Sequence, residues 1–305
     1  MALFLQVIFS GVSQGAIYAL IGVGFSLVML SSRVLNLAHG SFVLYGGFIF
    51  LSLAGAFGLP FWILIPLVVL VVAAIGALME RLLNFGMSPW RRPSIDSLVL
   101  LTLALLVVFE GVAFVAWGPD PRRAPPLQGG VVEIAGAAIV WQSIWMLVAT
   151  AFLSAALHLF LHRSWLGLAL RACGESDVTV YLLGIDRRAV GLMAFALSAG
   201  LGALAGILAS PITWIDYQAG GFFMLKGMLA YLIGGEKVAG PLVGGILLGL
   251  TENLLLLLPG TAGGLLKQVV PMLALLVILL VRPRGILPIH RVRSHGILPI
   301  RQTSA

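Results

Sequence analysis

Residues 171–188, RACGESDVTVYLLGIDRR, form a polar island between two long apolar stretches, 141–162 before it and about 187–212 after it. The island holds the single cysteine, Cys173, three arginines and three of the eleven acids, Glu175, Asp177 and Asp186. A helix needs roughly 20 predominantly apolar residues to cross a bilayer, and both flanks meet that length. The island is therefore where a lipid-embedded chain emerges to meet something soluble.

The whole composition repeats this reading. Hydrophobic residues make up 60%, charged residues 10%, and the mean hydropathy is +1.10, whereas a soluble domain carries about 25% charged residues. The expected fold is all-α, a polytopic transmembrane helical bundle with about 8–9 membrane segments, some short or broken. The 37 glycines suit it, because glycine lets helix backbones approach closely in lipid. A net charge of +7 points to topology here and not to nucleic acid. One cysteine leaves no intramolecular disulfide.

Toward the N-terminus, the connector 118–140 contains prolines that forbid helix, and its VVEIAGAAIV predicts a hairpin turned at Gly136. Before it lie expected spans at 97–117, carrying Glu110, at 61–83 and at 42–57. The first span, 3–30, has Gly11, Gly15, Ala19, Gly22 and Ser26 in a small-residue packing stripe. It lacks a basic leader and its apolar run exceeds an h-region, so no cleavable signal is expected. Beyond the island, Asp186 is expected to cap a span over 187–212. A polar turn at 210–221, short segments at 222–235 and 242–258 separated by GGEKVAGP, and a last span at 268–281 follow.

These limits give one transmembrane domain over 1–284 and a basic tail over 285–305, in which GILPI occurs twice. Nine crossings place 14 of the 18 basic residues on one side and four, Arg122, Arg123, Lys226 and Lys267, on the other. By the positive-inside tendency, the island and the C-terminus are cytoplasmic and the N-terminus is outside.

No G-x-x-x-x-G-K-[ST] loop occurs, so energy from nucleotide must come from a partner. His158 and His162 lie one turn apart but without the H-E-x-x-H glutamate, and no serine, histidine and acid cluster stands out. No catalytic residue and no metal site is expected. Glu110 and Glu252 are the acids deepest in apolar runs, where an ionisable group faces the bundle interior or a watery cavity. They line a pathway, carry protons or serve as hydrogen-bonded packing. Asn36, His39 and Gly40 in NLAHG interrupt another apolar run, either as an ordinary turn or as a broken helix lining a pathway. In the island, Ser176 is placed to cap a helix over 177–183, with Asp177 in its first turn and Gly184 ending it. Val178, Tyr181, Leu182 and Ile185 form an apolar stripe that needs a cover, either this chain's own helix ends or a partner's groove.

The stretch GAIYALIGVGFSLVMLSSRVLNLAHGSFVLYGGF at 15–48 resembles the N-terminal signature of LivH-type inner-membrane permease subunits of bacterial branched-chain amino acid ABC transporters. RACGESDVTVYLLGID resembles that family's cytoplasmic coupling loop, and LKGMLAYLIGGEKVAGPLVGGILLGLTENLL its glycine-rich C-terminal signature. The ending RPRGIL is similar too. Departures are Cys173-Gly174-Glu175-Ser176 in place of an alanine and two acids, and Glu236-Lys237 in a more neutral stretch.

The resemblance implies a multi-pass inner-membrane subunit that pairs with a second homologous permease subunit. Two cytoplasmic ATPases that use ATP and a periplasmic substrate-binding protein complete the assembly, and this chain holds no cofactor. It also implies a coupling loop at 163–188 with Arg171, Glu175, Ser176, Asp177, Tyr181, Leu182, Leu183, Gly184 and Asp186. The substrate pathway is expected at Asn36, His39, Gly40, Tyr18, Glu110 and Glu252. Branched-chain or related small amino acids are the expected cargo. Urea or short amides are the alternatives on the same architecture, and a proton-coupled secondary transporter using Glu110 and Glu252 is the alternative from another class.

Overall fold

The computed structural model describes residues 2–33, 35–84, 95–126, 129–134, 136–175, 177–235, 239–258 and 262–281. The tail 285–305, Ser176 and Glu236-Lys237 lie outside them, as do the side chains of Glu175 and Asp177.

The helices are α1 (Ala2–Ser32), α2 (His39–Phe57), α3 (Phe61–Leu83), α4 (Ile95–Trp117), α5 (Trp141–Arg163), α6 (Trp165–Glu175), α7 (Asp177–Leu182), α8 (Arg187–Ala209), α9 (Ala219–Gly234), α10 (Gly240–Leu254) and α11 (Ala262–Val281). Among the described residues, seven are long and apolar enough to cross a membrane, and two shorter apolar helices, within α9 and α11, accompany them. The protein is a multi-pass membrane protein. The predicted hairpin is present as β1 (Val131–Ile134) and β2 (Ala137–Val140), pairing Val131 with Val140 and Ile134 with Ala137. Gly136 turns it at φ +78°, a left-handed angle that glycine takes without steric cost.

At 31 residues, α1 is about 46 Å long at 1.5 Å per residue and exceeds the roughly 30 Å hydrocarbon core. It is the axis of the bundle. Its predicted small-residue stripe packs on the glycines of α10: a Cβ on Gly15 would lie 2.8 Å from the Ile246 Cα, and one on Gly11 3.0 Å from the Gly249 oxygen. Around it α2, α8 and α9 complete a buried layer. Outside that layer, α3, α4, α5 and α11 turn residues such as Trp62, Val107, Val115, Phe152 and Leu280 outward. A belt of exposed large apolar side chains is stable only in lipid or against another membrane protein.

The two ends of the bundle are distinct. At one, Gly136 of the hairpin lies against Ala2, and Arg122 pairs backbone to backbone with Ile215. At the other, Arg33 donates to the Gly174 carbonyl from both Nε (3.2 Å) and Nη2 (2.9 Å). Helix α6 is an element the sequence analysis did not separate. It buries Ala169, Leu170 and Cys173, and the island's first five residues are its last turn and not a loop.

Boundaries shift at two other places that matter. His39 and Gly40 belong to the first turn of α2. Lys226 and Lys267, counted above on the outer side, lie inside α9 and α11. In the bundle both donate to polar side chains of α1.

Candidate functional site

The chain leaves α1 at Arg33, whose φ of +57° makes it the one non-glycine residue in the left-handed region among the described residues, and then turns back. His39 packs against Gly24, where a Cβ would lie 2.6 Å from the imidazole. The nine residues of α1 from 24 to 32 correspond to about 13 Å of helix. NLAHG therefore turns back into the bundle, with a short non-helical stretch before α2 begins at His39.

Asn36 organises the re-entry. Its Oδ1 accepts from the Ala38 N–H at 3.1 Å, its carbonyl accepts from the His39 N–H at 3.2 Å, and the side chain is buried beside Met79. Thr102 of α4 accepts from the Leu37 N–H at 3.2 Å. These bonds satisfy backbone groups that no water in lipid would reach. His39 is fully buried, with Nδ1 3.0 Å from Ser198 Oγ, which itself donates to the Gly24 carbonyl at 2.9 Å. Phe25 and Phe42 enclose the ring with centroids at 4.6 and 5.6 Å. Gly40 meets the backbone of α9 at Gly220 and Met224, leaving no room for a side chain.

The second break arrives at the same level. Helix α9 ends and α10 begins where Gly234 meets Gly240, and Pro241 abuts Gly22, two residues from Gly24. Short segments from both halves of the chain thus start or end around one point of α1. Glu110 of α4 acts at the other end of α9, where Gly220 meets Gly40: its Oε1 accepts from the Gly221 N–H at 2.9 Å. That N–H is one of the four unpaired donors of a helix N-terminus, so Glu110 caps α9 from another helix, with its charge on the favourable end of the dipole.

One turn along α1 toward the hairpin end lies a buried charge cluster. Tyr18 donates to Glu252 Oε2 at 2.8 Å, and Lys226 Nζ lies 2.9 Å from the Tyr18 hydroxyl and 3.1 Å from the same carboxylate oxygen. The lysine side chain is 24% exposed and the glutamate 1%. Lys226 also sits 4.9 Å from the Tyr18 ring centroid, a cation–π placement. Asn253 Nδ2 donates to Gln14 Oε1 at 3.0 Å, Lys267 Nζ does so at 3.1 Å, and Ser10 donates to Asn253 at 3.3 Å. The structure therefore joins Tyr18 and Glu252, expected separately, and adds Gln14, Lys226, Asn253 and Lys267. Lys226 carried a readable signal: a lone cation inside an apolar segment is expensive and is placed for use or pairing. The serine and threonine at 198 and 102 carried none, being ordinary helix residues until the fold aims them at NLAHG.

At the opposite end, Asp186 caps α8 as expected, accepting from the Arg188 N–H at 2.9 Å. Gly184, at φ +64°, ends α7, with Gly184 and Ile185 N–H groups donating to the Tyr181 and Val180 carbonyls. Among the described side chains of α7, Val180 is buried. Tyr181, Leu182 and Leu183 are 85%, 76% and 63% exposed, so this chain's own helix ends do not cover them. Arg171, on α6, has a buried Nε without a partner among the described residues. The His158 and His162 rings lie 4.1 Å apart between centroids, tilted by 31°, and among the described residues no group of three or more metal-ligating side chains gathers.

Residues 7–281 match the family model described as "Branched-chain amino acid transport system / permease component". The chain is 27% identical to the high-affinity branched-chain amino acid transport system permease protein BraD of Pseudomonas aeruginosa, over 93% of this chain and 95% of that protein. It is 28% identical to the corresponding permease protein LivH of Escherichia coli, with the same coverage. It is also similar to a chain of PsaBC from Streptococcus pneumoniae in complex with Fab, at 13% identity and a TM-score of 0.49 over 93% of each chain. Matched over residues 7–281, nearly its whole length, this chain belongs to the branched-chain amino acid transport system permease family.

Proposed function

We propose that this chain is the membrane permease subunit of an ABC importer for branched-chain or related small amino acids, working by alternating access without covalent chemistry. The match to the permease family over residues 7–281 carries the proposal. In this reading it pairs with a second homologous permease subunit, is driven by two ATPases that use ATP, and receives cargo from a periplasmic binding protein. Residues 163–188 are the coupling loop, and the uncovered Tyr181, Leu182 and Leu183 are what an ATPase groove takes up.

The charge distribution supports an orientation in a bacterial inner membrane. Arg33, Arg81, Arg163, Arg171, Arg187 and Arg188 lie toward the α6–α7 end and Arg122 and Arg123 at the hairpin end. The positive-inside tendency then makes the α6–α7 end cytoplasmic and the N-terminus periplasmic. The pathway follows the junction at Asn36, His39 and Gly40 and the cluster at Tyr18 and Glu252, with Glu110 holding α9 in place.

Proteoliposomes containing the chain with a homologous permease, ATPases and a binding protein from the same organism test the reading. Leucine uptake should require ATP and every partner. Uptake that persists without an ATPase and collapses when the proton gradient is dissipated would replace this reading with secondary transport.

A further inference from the structure

Helix α5 turns an apolar ridge away from the bundle through Val148, Phe152 and Leu159, which are 54%, 69% and 58% exposed. Steps of four and seven residues keep all three on one helix face. Ala155 and Ala156, also exposed, leave a dip between Phe152 and Leu159. From 148 to 159 the ridge runs about 16 Å at 1.5 Å per residue. One leaflet of a bilayer has a hydrocarbon depth of about 15 Å.

The same face ends in basic side chains. His158, His162 and Arg163 are exposed on the last turns of α5, and Trp165, 74% exposed, opens α6 just beyond them. Residues 141–171 contain two arginines, two histidines and no acid, and among the described residues no carboxylate pairs with Arg163. Basic groups in a last turn favour the helix dipole. That accounts for the placement of His162 and Arg163, but not for His158 further in or for the exposed tryptophan. His162 Nδ1 lies 2.8 Å from the His158 carbonyl. A carbonyl only accepts, so Nδ1 carries the proton and Nε2 of the neutral ring is left as an acceptor. The face thus offers, in order, a ridge of one leaflet's depth, an acceptor nitrogen, a guanidinium and an indole.

We infer that the outer face of α5 from Val148 to Arg163, with Trp165, is a binding site for an anionic phospholipid whose headgroup carries hydroxyls, the phosphatidylglycerol class. Arg163 takes the phosphate by charge-assisted hydrogen bonds, and His162 Nε2 accepts from a headgroup hydroxyl. Trp165 sits at the level where tryptophan anchors to the membrane interface, and one acyl chain lies over Ala155 and Ala156 between Phe152 and Leu159. Phosphate in solution would engage Arg163 but has nothing to place on the ridge. Arg163 also begins the 163–188 loop, so the lipid is held at the base of that loop. The inference does not depend on which cargo the protein carries.

The full-length chain in nanodiscs of mixed phosphatidylglycerol and phosphatidylcholine provides the test. A phosphatidylglycerol with a diazirine in its acyl chain should label peptides within 148–165, and excess unlabelled phosphatidylglycerol should compete where phosphatidylcholine does not. Native mass spectrometry should find phosphatidylglycerol retained through detergent extraction in preference to phosphatidylcholine. Arg163→Gln should weaken that retention about fivefold, the effect of one basic residue on an anionic lipid surface, and adding His162→Leu should weaken it further. Ala156→Trp fills the dip with the charges intact and should lower the labelling several-fold. All three positions are exposed, so the variants should keep the melting temperature of the parent, which shows that binding and not folding has changed.

Equal retention of the two lipids, or retention unchanged in Arg163→Gln, would overturn the site. Labelling confined to other helices would do the same. A Ca²⁺-free repeat with inorganic phosphate in excess separates the two sources of phosphate: displacement of the labelled lipid by phosphate alone would overturn the lipid reading. In the assembled transporter, loss of the labelling together with crosslinking of Ala156→Cys to another subunit would make this face a protein interface and overturn the proposal.

Discussion

Gly24 illustrates how a residue without a side chain sets the position of one that has chemistry. A Cβ there would lie 2.6 Å from the His39 ring and 3.3 Å from Ser198 Oγ, and the ring is enclosed by Phe25 and Phe42, so it has nowhere to move. Gly24→Ala should destabilise the purified protein by about 1–3 kcal/mol, the usual cost of overpacking a tight core, read as a lower melting temperature in detergent. An unchanged melting temperature would mean that NLAHG does not reach this depth. Lys226→Met alone leaves Glu252 buried beside Tyr18 with no cation on Oε2. Breaking a buried pair from one side costs about 3–5 kcal/mol, so this single variant should be less stable than the double variant with Glu252→Met. The reverse order in a thermal unfolding comparison would remove the pair as an interaction.

At the scale of elements, two helices have ends that depend on something outside themselves. Helix α9 relies on Glu110 of α4 for its first turn; Glu110→Ala removes that cap and should cost about 0.5–2 kcal/mol, with faster deuterium exchange at Gly221 than at mid-helix amides. Equal exchange in the variant and the parent would reject the capping role. Helix α7 presents Tyr181, Leu182 and Leu183 outward, which is unfavourable in water unless a partner covers them. Tyr181→Asp or Leu183→Asp should abolish co-purification of the ATPase while membrane insertion is retained; undiminished recovery with both variants would rule out docking through this helix.

For the molecule as a whole, orientation is the property that all partners depend on. Cys173 is the single cysteine and is buried, so a Cys173→Ala background accepts reporters with a single thiol. Arg122→Cys at the hairpin end should react with an impermeant maleimide from the periplasmic side, and Leu183→Cys only after the cytoplasmic face is opened. Reaction of both from one side would invert or abolish the orientation. Much of this plan was legible in the chain. The apolar runs, the Gly136 hairpin, the Asp186 cap and the α1 packing stripe follow from local rules of length, turn chemistry and capping. Helix α6 escaped because its polar and apolar residues mix over only 11 residues, too few to separate a surface helix from the end of the preceding span.

The sequence by itself determined that this is a lipid-embedded helical protein with interrupted segments, a polar island at one end and acids where acids are costly, since each of these is a property of neighbours in the chain. Only the tertiary structure decided that NLAHG turns back along α1 and that the later glycine break ends beside it. It alone joined Tyr18 to a glutamate 234 positions away and to Lys226. The reason is that a buried charge or a freed backbone group in lipid must find its partner across helices, and which helix supplies it depends on packing that brings together residues the sequence keeps far apart.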